Sequence, residues 1–258
     1  MLVQALGLET ARLISLCGAG GKSSLMLALA REFAAAGDWV LVTTTTKIAS
    51  DEAAGPWPVI TAAGADEIVA RARRALRNHG SEKVAIAISG DTDEGRKLVG
   101  FPPDCIDAVA SRPDFDRILV EADGSRRMPL KAPAAHEPVI PSTADAVIMV
   151  AGLSGLGQPL DETTVFRADL WAARTGLAPG EAVSAESLAR MVVHADGLAR
   201  GAPDDARRIL FLNQADTGQR IEAAKRVIEA LADADRRPAR VVAGCLQPMP
   251  RIAEISVL

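Results

Sequence analysis

Leu13-Ile14-Ser15-Leu16-Cys17-Gly18-Ala19-Gly20-Gly21-Lys22-Ser23-Ser24 is the stretch on which the reading of the chain turns. It opens as an apolar run ending at Cys17, long enough for a buried parallel strand. Three glycines follow within four residues, then Lys22, two hydroxyl side chains and a helix-like run from Leu25 to Phe33. Strand, glycine loop, Lys-Ser and helix make the arrangement that holds a nucleotide's phosphates. The glycines let backbone N–H groups turn onto phosphate oxygens. Lys22 supplies a point charge for the terminal phosphates, and Ser23 a hydroxyl for Mg²⁺. Gly18, Ala19, Gly20, Gly21, Lys22, Ser23 and Ser24 are therefore the expected phosphate cradle.

The common P-loop has a glycine where Leu16 stands. The shorter G-x-x-G-K-S form present here is like that of the Mur ligases. Downstream, Ser23 to Ala36 has one apolar face (Leu25, Met26, Leu29, Ala30, Phe33), with Gly37 as its stop. Trp39 to Val42 reads as a second strand, delivering Thr43-Thr44-Thr45-Thr46-Lys47 at its carboxyl end. Ligands collect at such strand ends, so Thr44, Thr45 and Lys47 are candidate phosphate neighbours; four threonines also simply suit β geometry. Asp66 to Arg77 is an amphipathic helix, and Val84 to Ile88 a strand that leads into a polar loop reaching Pro103.

Arg117 to Val120 is the next strand, and it ends in Glu121-Ala122-Asp123-Gly124. Acidic residues at the end of a buried strand complete the Mg²⁺ site of P-loop proteins. Asp123 is the expected Mg²⁺ ligand beside Ser23, Glu121 the expected positioner of water, and Lys22 the stabiliser of charge on the transferred phosphoryl group. Ser125 to Thr143 has no clear period and carries Arg126, Arg127, Lys131, His136 and Glu137; long loops of this kind are usually functional. Ala146 to Ala151 is a strand, and Gly152 to Gly157 a glycine-rich connector. Asp169 to Thr175 and Ser184 to Ala199 read as helices, with Ser184 as an N-cap. Arg208 to Leu212 is a strand ending in Asn213-Gln214-Ala215-Asp216. That string resembles the N-K-x-D guanine reader of GTP-binding proteins, with Gln214 in place of lysine, and suggests a modest preference for GTP through Asn213 and Asp216. The alternative is a turn before the helix at Ile221 to Leu231, capped by Asp216 or Thr217. Arg240 to Cys245 closes the strand series, and the tail after Pro248 is expected to pack along an edge.

The whole chain sets bounds. Its 258 residues suffice for one large α/β domain. A formal net charge of −4 argues against a nucleic-acid binder. No segment has the length and apolarity of a membrane span, and the N-terminus lacks a signal peptide's basic region, so a cytoplasmic protein is expected. Cys17, Cys105 and Cys245 are widely spaced and form no C-x-x-C pair, as in reduced, mostly buried thiols. The alternation of strand and helix predicts a three-layer α/β sandwich with a mainly parallel sheet, P-loop NTPase-like, over residues 1–258, with a helical lid or docking region at 160–207.

Taken together, G-A-G-G-K-S-S, V-T-T-T-T-K-I, V-E-A-D-G-S-R-R-M-P-L-K-A-P-A-A-H-E-P-V-I-P, T-V-F-R around Arg167, and N-Q-A-D resemble the YqeC family, described as accessory to selenium-dependent molybdenum hydroxylases. The resemblance implies a cytoplasmic P-loop-type protein that partners a molybdenum hydroxylase or its cofactor pathway. It adds Arg126, Lys131, His136, Glu137 and Arg167 as residues for a substrate or partner. The reaction it leaves open is either hydrolysis of a nucleoside triphosphate with Mg²⁺ or transfer to a small acceptor; a nucleotide-sensing module without turnover is the third reading.

Overall fold

The computed structural model describes residues 1–49, 57–78, 83–91 and 97–258. In chain order the elements are α1 (Leu2–Leu6), β1 (Leu13–Gly18), α2 (Lys22–Ala36), β2 (Val40–Thr44), β3 (Lys47–Ala49), β4 (Val59–Thr61), α3 (Ala65–Asn78) and β5 (Val84–Ile88). Next come β6 (Gly90–Asp91), β7 (Lys97–Val99), α4 (Pro103–Ala110), β8 (Arg117–Glu121), β9 (Leu130–Lys131), β10 (Ala146–Gly152) and β11 (Val165–Phe166). The chain ends with α5 (Ala168–Thr175), α6 (Ala185–Val193), β12 (Arg207–Asn213), α7 (Gly218–Leu231), β13 (Arg240–Cys245) and β14 (Arg251–Val257).

Nine strands form one sheet in the order β14-β13-β12-β10-β1-β8-β2-β5-β4. All neighbours are parallel except β13 and β14. The expected three-layer α/β sandwich with a mainly parallel sheet is what forms. Strand β1 sits at the centre and is buried at every position, its one hydroxyl residue Ser15 included, because helices cover both faces. Ile14 and Leu16 face α1 and α2, in one core with Leu25, Leu29 and Phe33. Leu13 and Cys17 face the other way. On that second face α3 and α4 pack through Ile68, Ala72 and Ile106. Beside them α5, α6 and α7 pack through Trp171, Leu188, Met191 and Val227. The 160–207 segment is thus joined to the sheet by a buried core.

Several local readings change. The connector after β10 contains a 3₁₀ turn, Leu153–Gly155, anchored by buried Leu153. Helix α4 follows the loop after β5, with Pro103 in its first turn; part of that loop lies outside the described residues. Helix α6 stops at Val193, short of Ala199, and Ser184 does cap it, accepting from the Ser187 N–H. Thr217 caps α7 in the same manner. The tail after Pro248 packs on the β13 edge as a full strand, β14.

Every parallel strand of the central group ends at the same rim. Gly18, Thr44, Glu121, Gly152, Asn213 and Cys245 are the carboxyl ends of β1, β2, β8, β10, β12 and β13. This is where a doubly wound sheet offers its crevice. Helix α2 fixes that rim from below, and Leu29 at its centre is fully buried. Leu29→Ala should therefore cost about 2–5 kcal/mol in urea unfolding, the range for a buried leucine truncated to alanine. A loss below about 1 kcal/mol would mean that α2 is not seated on the sheet as described.

Candidate functional site

The glycine loop between β1 and α2 is packed tightly enough to dictate its sequence. Gly20 has φ +85°, and a Cβ there would lie 2.4 Å from the Gly152 nitrogen and 2.7 Å from the Pro129 oxygen. At Gly21, φ is +124° and a Cβ would lie 2.3 Å from Asn213 Nδ2. The loop is thus pressed between the ends of β10 and β12. Within it, the Ala19 N–H donates to Val150 O, and the Gly18 N–H donates to both Asp123 oxygens at 3.1 Å. The N–H groups of Gly21, Lys22 and Ser24 have no backbone acceptor among the described residues, as expected for the first turn of a helix aimed at an anion.

Lys22 is buried and donates to Gly18 O at 2.9 Å. Its Nζ also lies 3.4 Å from Asp123 Oδ1 and 3.6 Å from Glu121 Oε1. Burial pulls its pKa down, but the Asp123 and Glu121 carboxylates outweigh that, leaving it above the ordinary lysine range. Behind the loop, burial, followed by the nearby Asp123 charge, pushes the Cys17 thiol well above its ordinary value, so it stays protonated and inert.

Asp123, the expected Mg²⁺ ligand, does not line the cleft, whereas Glu121 does. Asp123 is 1% exposed and turned inward: besides Gly18 and Lys22 it holds Lys131 Nζ at 2.9 Å. Glu121 stands beside the Ser23 hydroxyl at the cleft, its Oε2 accepting from Ser23 Oγ at 2.8 Å. Lys131 is fully enclosed and continues the network, donating to Gly124 O at 2.6 Å and to Glu137 Oε2 at 2.8 Å. Arg167 reaches the same Glu137 oxygen at 2.7 Å. Glu137 is buried and loses hydration, but the bonds from Arg167 and Lys131 outweigh that and hold its pKa below the ordinary carboxylate range. His136 is exposed, with Nε2 4.0 Å from Glu137 Oε1, on the rim of this network.

Other expected residues serve the frame. Thr44 Oγ1 donates to Glu121 O, and Thr45 Oγ1 to Val139 O, so both hydroxyls tie β2 to β8 and to the loop after it. Asn213 Nδ2 donates to Gly20 O at 2.7 Å, bracing the glycine loop from β12. Asp216 lines the cleft and accepts from Arg220 Nη1 at 2.7 Å. Lys47 also lines the cleft.

The cleft has a volume of about 1020 Å³ and runs from the glycine loop to Arg126, Arg127, Phe166 and Arg167. Phe166 was not among the residues singled out from the sequence. Arg126 and Arg167 lie over the Phe166 ring at 4.9 and 4.2 Å, and Lys131 at 5.8 Å. Such contacts hold cationic heads in place without neutralising them. The T-V-F-R string carried this signal, since a phenylalanine beside an arginine is a ready stacking pair.

Among the described residues no group of three or more His, Cys, Asp or Glu is disposed to hold a metal. The Ser23–Glu121 oxygen pair at the cleft suits Mg²⁺, which binds through one or two protein oxygens and otherwise keeps water and substrate phosphates. No helix among the described residues is long and apolar enough to cross a membrane.

The Glu137 network makes a pH prediction. A carboxylate whose pKa is lower folded than unfolded stabilises the fold fully above its unfolded value, about 4.3. That contribution is lost as pH falls through the folded value. Glu137→Gln should cost about 3 kcal/mol near neutral pH, the low end for a broken buried pair, because Lys131 keeps Asp123. Its stability should also decline less steeply than the parent's as pH drops below about 4.5, in urea unfolding across the acid range. Parallel acid limbs in the two proteins would contradict this.

Comparison with known proteins adds the following. A family model described as YqeC protein matches residues 14–169. A protein of Escherichia coli (strain K12) described as "Uncharacterized protein YqeC" is 36% identical over 243 residues, covering 93% of this chain and 90% of that relative.

Proposed function

Starting from a chain that belongs to the YqeC family, we propose that it is a Mg²⁺-dependent nucleoside-triphosphate-binding protein that hydrolyses its nucleotide while serving the maturation of a selenium-dependent molybdenum hydroxylase or its cofactor. The context comes from the family resemblance. The chemistry rests on one observation: an ammonium group, the N–H groups of Gly21, Lys22 and Ser24, without backbone acceptors among the described residues, and a hydroxyl–carboxylate pair converge at one end of a cleft.

In this reading the triphosphate lies along Gly20 to Ser24, with its terminal oxygens at the N–H groups that lack backbone acceptors. Lys22 leaves Gly18 O and turns to the β- and γ-phosphates, while Asp123 behind it keeps it charged and aimed. Mg²⁺, held through Ser23 and Glu121, would draw off charge on the phosphate oxygens. Hydrolysis forms a bond from water oxygen to the γ-phosphorus as the bridging P–O bond breaks, giving nucleoside diphosphate and phosphate. Glu121 orients the attacking water, and Lys22 offsets charge gathering on the leaving oxygen. Asn213 keeps the loop in shape through Gly20 O. Asp216 sits at the cleft wall with Arg220, where its carboxylate would accept from guanine's ring N–H and amine; adenine offers no ring N–H there.

Lys22→Ala should weaken binding of Mg²⁺ with a non-hydrolysable GTP analogue by about 1.5–3 kcal/mol, the scale of a charge-assisted contact, in calorimetric titration. In the parent, GTP should compete modestly better than ATP. Equal affinity of the Lys22→Ala variant and the parent would remove the phosphate-loop reading; an ATP preference would remove the role given to Asp216.

A further inference from the structure

The far end of the cleft holds charge that a nucleotide in the glycine loop does not use. Five cationic side chains and three carboxylates line the cleft, in a chain whose formal charge is −4. The carboxylates are engaged: Glu121 lies near Lys22, Glu137 takes Arg167, and Asp216 takes Arg220 from outside the lining. Among the described residues, Lys47 has no ion pair. Arg126 has no hydrogen bond or ion pair among the described residues; its guanidinium rests on the Phe166 ring.

The backbone carries a second, independent sign. Among the described residues, the non-glycine positions with positive φ are Arg126 (+49°), Arg127 (+60°), Arg167 (+65°) and Gln214 (+70°). All four line this cleft. Left-handed conformations favour glycine or asparagine, and arginine is held there only against a local cost. Strain of this kind gathers at ligand clamps. Here it presents two consecutive arginines and a third across Phe166 to one space. The buried chain Lys22–Asp123–Lys131–Glu137–Arg167 ties that space to the glycine loop through links of 3.4, 2.9, 2.8 and 2.7 Å.

We infer that Arg126, Arg127 and Arg167 form a second anion subsite, which takes the phosphate monoester of a small ligand while the nucleotide occupies the glycine loop. The inference rests on the proposed nucleotide reading and adds the class of a second ligand bound beside the nucleotide. Guanidinium forks match the tetrahedral dianion of a phosphate ester, and stacking on Phe166 preorganises those of Arg126 and Arg167.

The test uses the full chain and inorganic phosphate as probe, titrated by calorimetry into the parent, Lys22→Ala, and the double variant Arg126→Asn/Arg127→Asn. Asparagine tolerates the left-handed region, so the double variant should melt at or above the parent's temperature. Phosphate binding should survive Lys22→Ala. It should also survive saturation of the parent with Mg²⁺ and a non-hydrolysable GTP analogue. In the double variant it should fall at least about tenfold, the loss of one charge-assisted contact or more. Phe166→Leu, which keeps all three arginines but removes the platform of Arg126 and Arg167, should weaken phosphate in the same direction. Phosphate binding that Lys22→Ala or the nucleotide abolishes, that the double variant keeps, or that is absent up to about 10 mM would overturn the inference. If the nucleotide itself fails to bind, only the glycine-loop reading falls, and the Lys22→Ala and double-variant titrations still decide the second subsite.

Discussion

One buried carboxylate organises the site. Asp123 receives the Gly18 N–H on both oxygens and holds the ammonium groups of Lys22 and Lys131. A carboxylate this deep is tolerable only with such partners, because an unpaired buried charge costs several kcal/mol. The partners come from three places: the last residue of β1, the first residue of α2, and the β9 segment of the loop that follows β8. Satisfying one charge therefore fixes the glycine loop, aims Lys22 and pulls the 125–143 loop onto the strand ends. From Lys131 the same network passes through Glu137 to Arg167 and so to the start of α5.

This explains how a loop without periodic pattern has one defined path. Two of its charged residues are taken out of solvent: Lys131 is buried whole, and Glu137 nearly so. Further along, Asp107 of α4 accepts from the N–H and hydroxyl groups of both Ser142 and Thr143, which anchors the loop's end. The cleft is thereby built on fixed walls: glycine loop and Glu121 at one end, the Phe166–arginine cluster at the other.

The fold and the loop after β1 were legible because their signals are local. An apolar run, glycines at fixed offsets and Lys-Ser before a 3.6-residue period need no knowledge of distant residues. The paired roles were harder to read. Glu121 and Asp123 are equivalent in a string of letters, and only the inward turn at Asp123, imposed by Gly18 and Lys131, separates them. Asn213 resembled a base reader, yet its amide braces a carbonyl 193 residues away in sequence. The threonines pointed to phosphates, but the strand pairing claims the hydroxyls of Thr44 and Thr45. The tail after Pro248 was placed on an edge but not as a strand, and helix α1 escaped notice, because a short segment at a chain end takes its structure from the edge it packs on, not from its own pattern. The loop arginines were named from the sequence, but their left-handed backbone is invisible in it.

The central claim is that Asp123 holds a phosphate-binding loop ready for a nucleotide. A crystal structure with Mg²⁺ and a non-hydrolysable nucleoside triphosphate tests it most directly. The account predicts phosphates against the N–H groups of Gly20 to Ser24 and Lys22 Nζ moved from Gly18 O to a phosphate oxygen, with Asp123 still bound to Gly18 and Lys131. A nucleotide seated elsewhere, or Lys22 unmoved on Gly18 O with the loop empty, would contradict it.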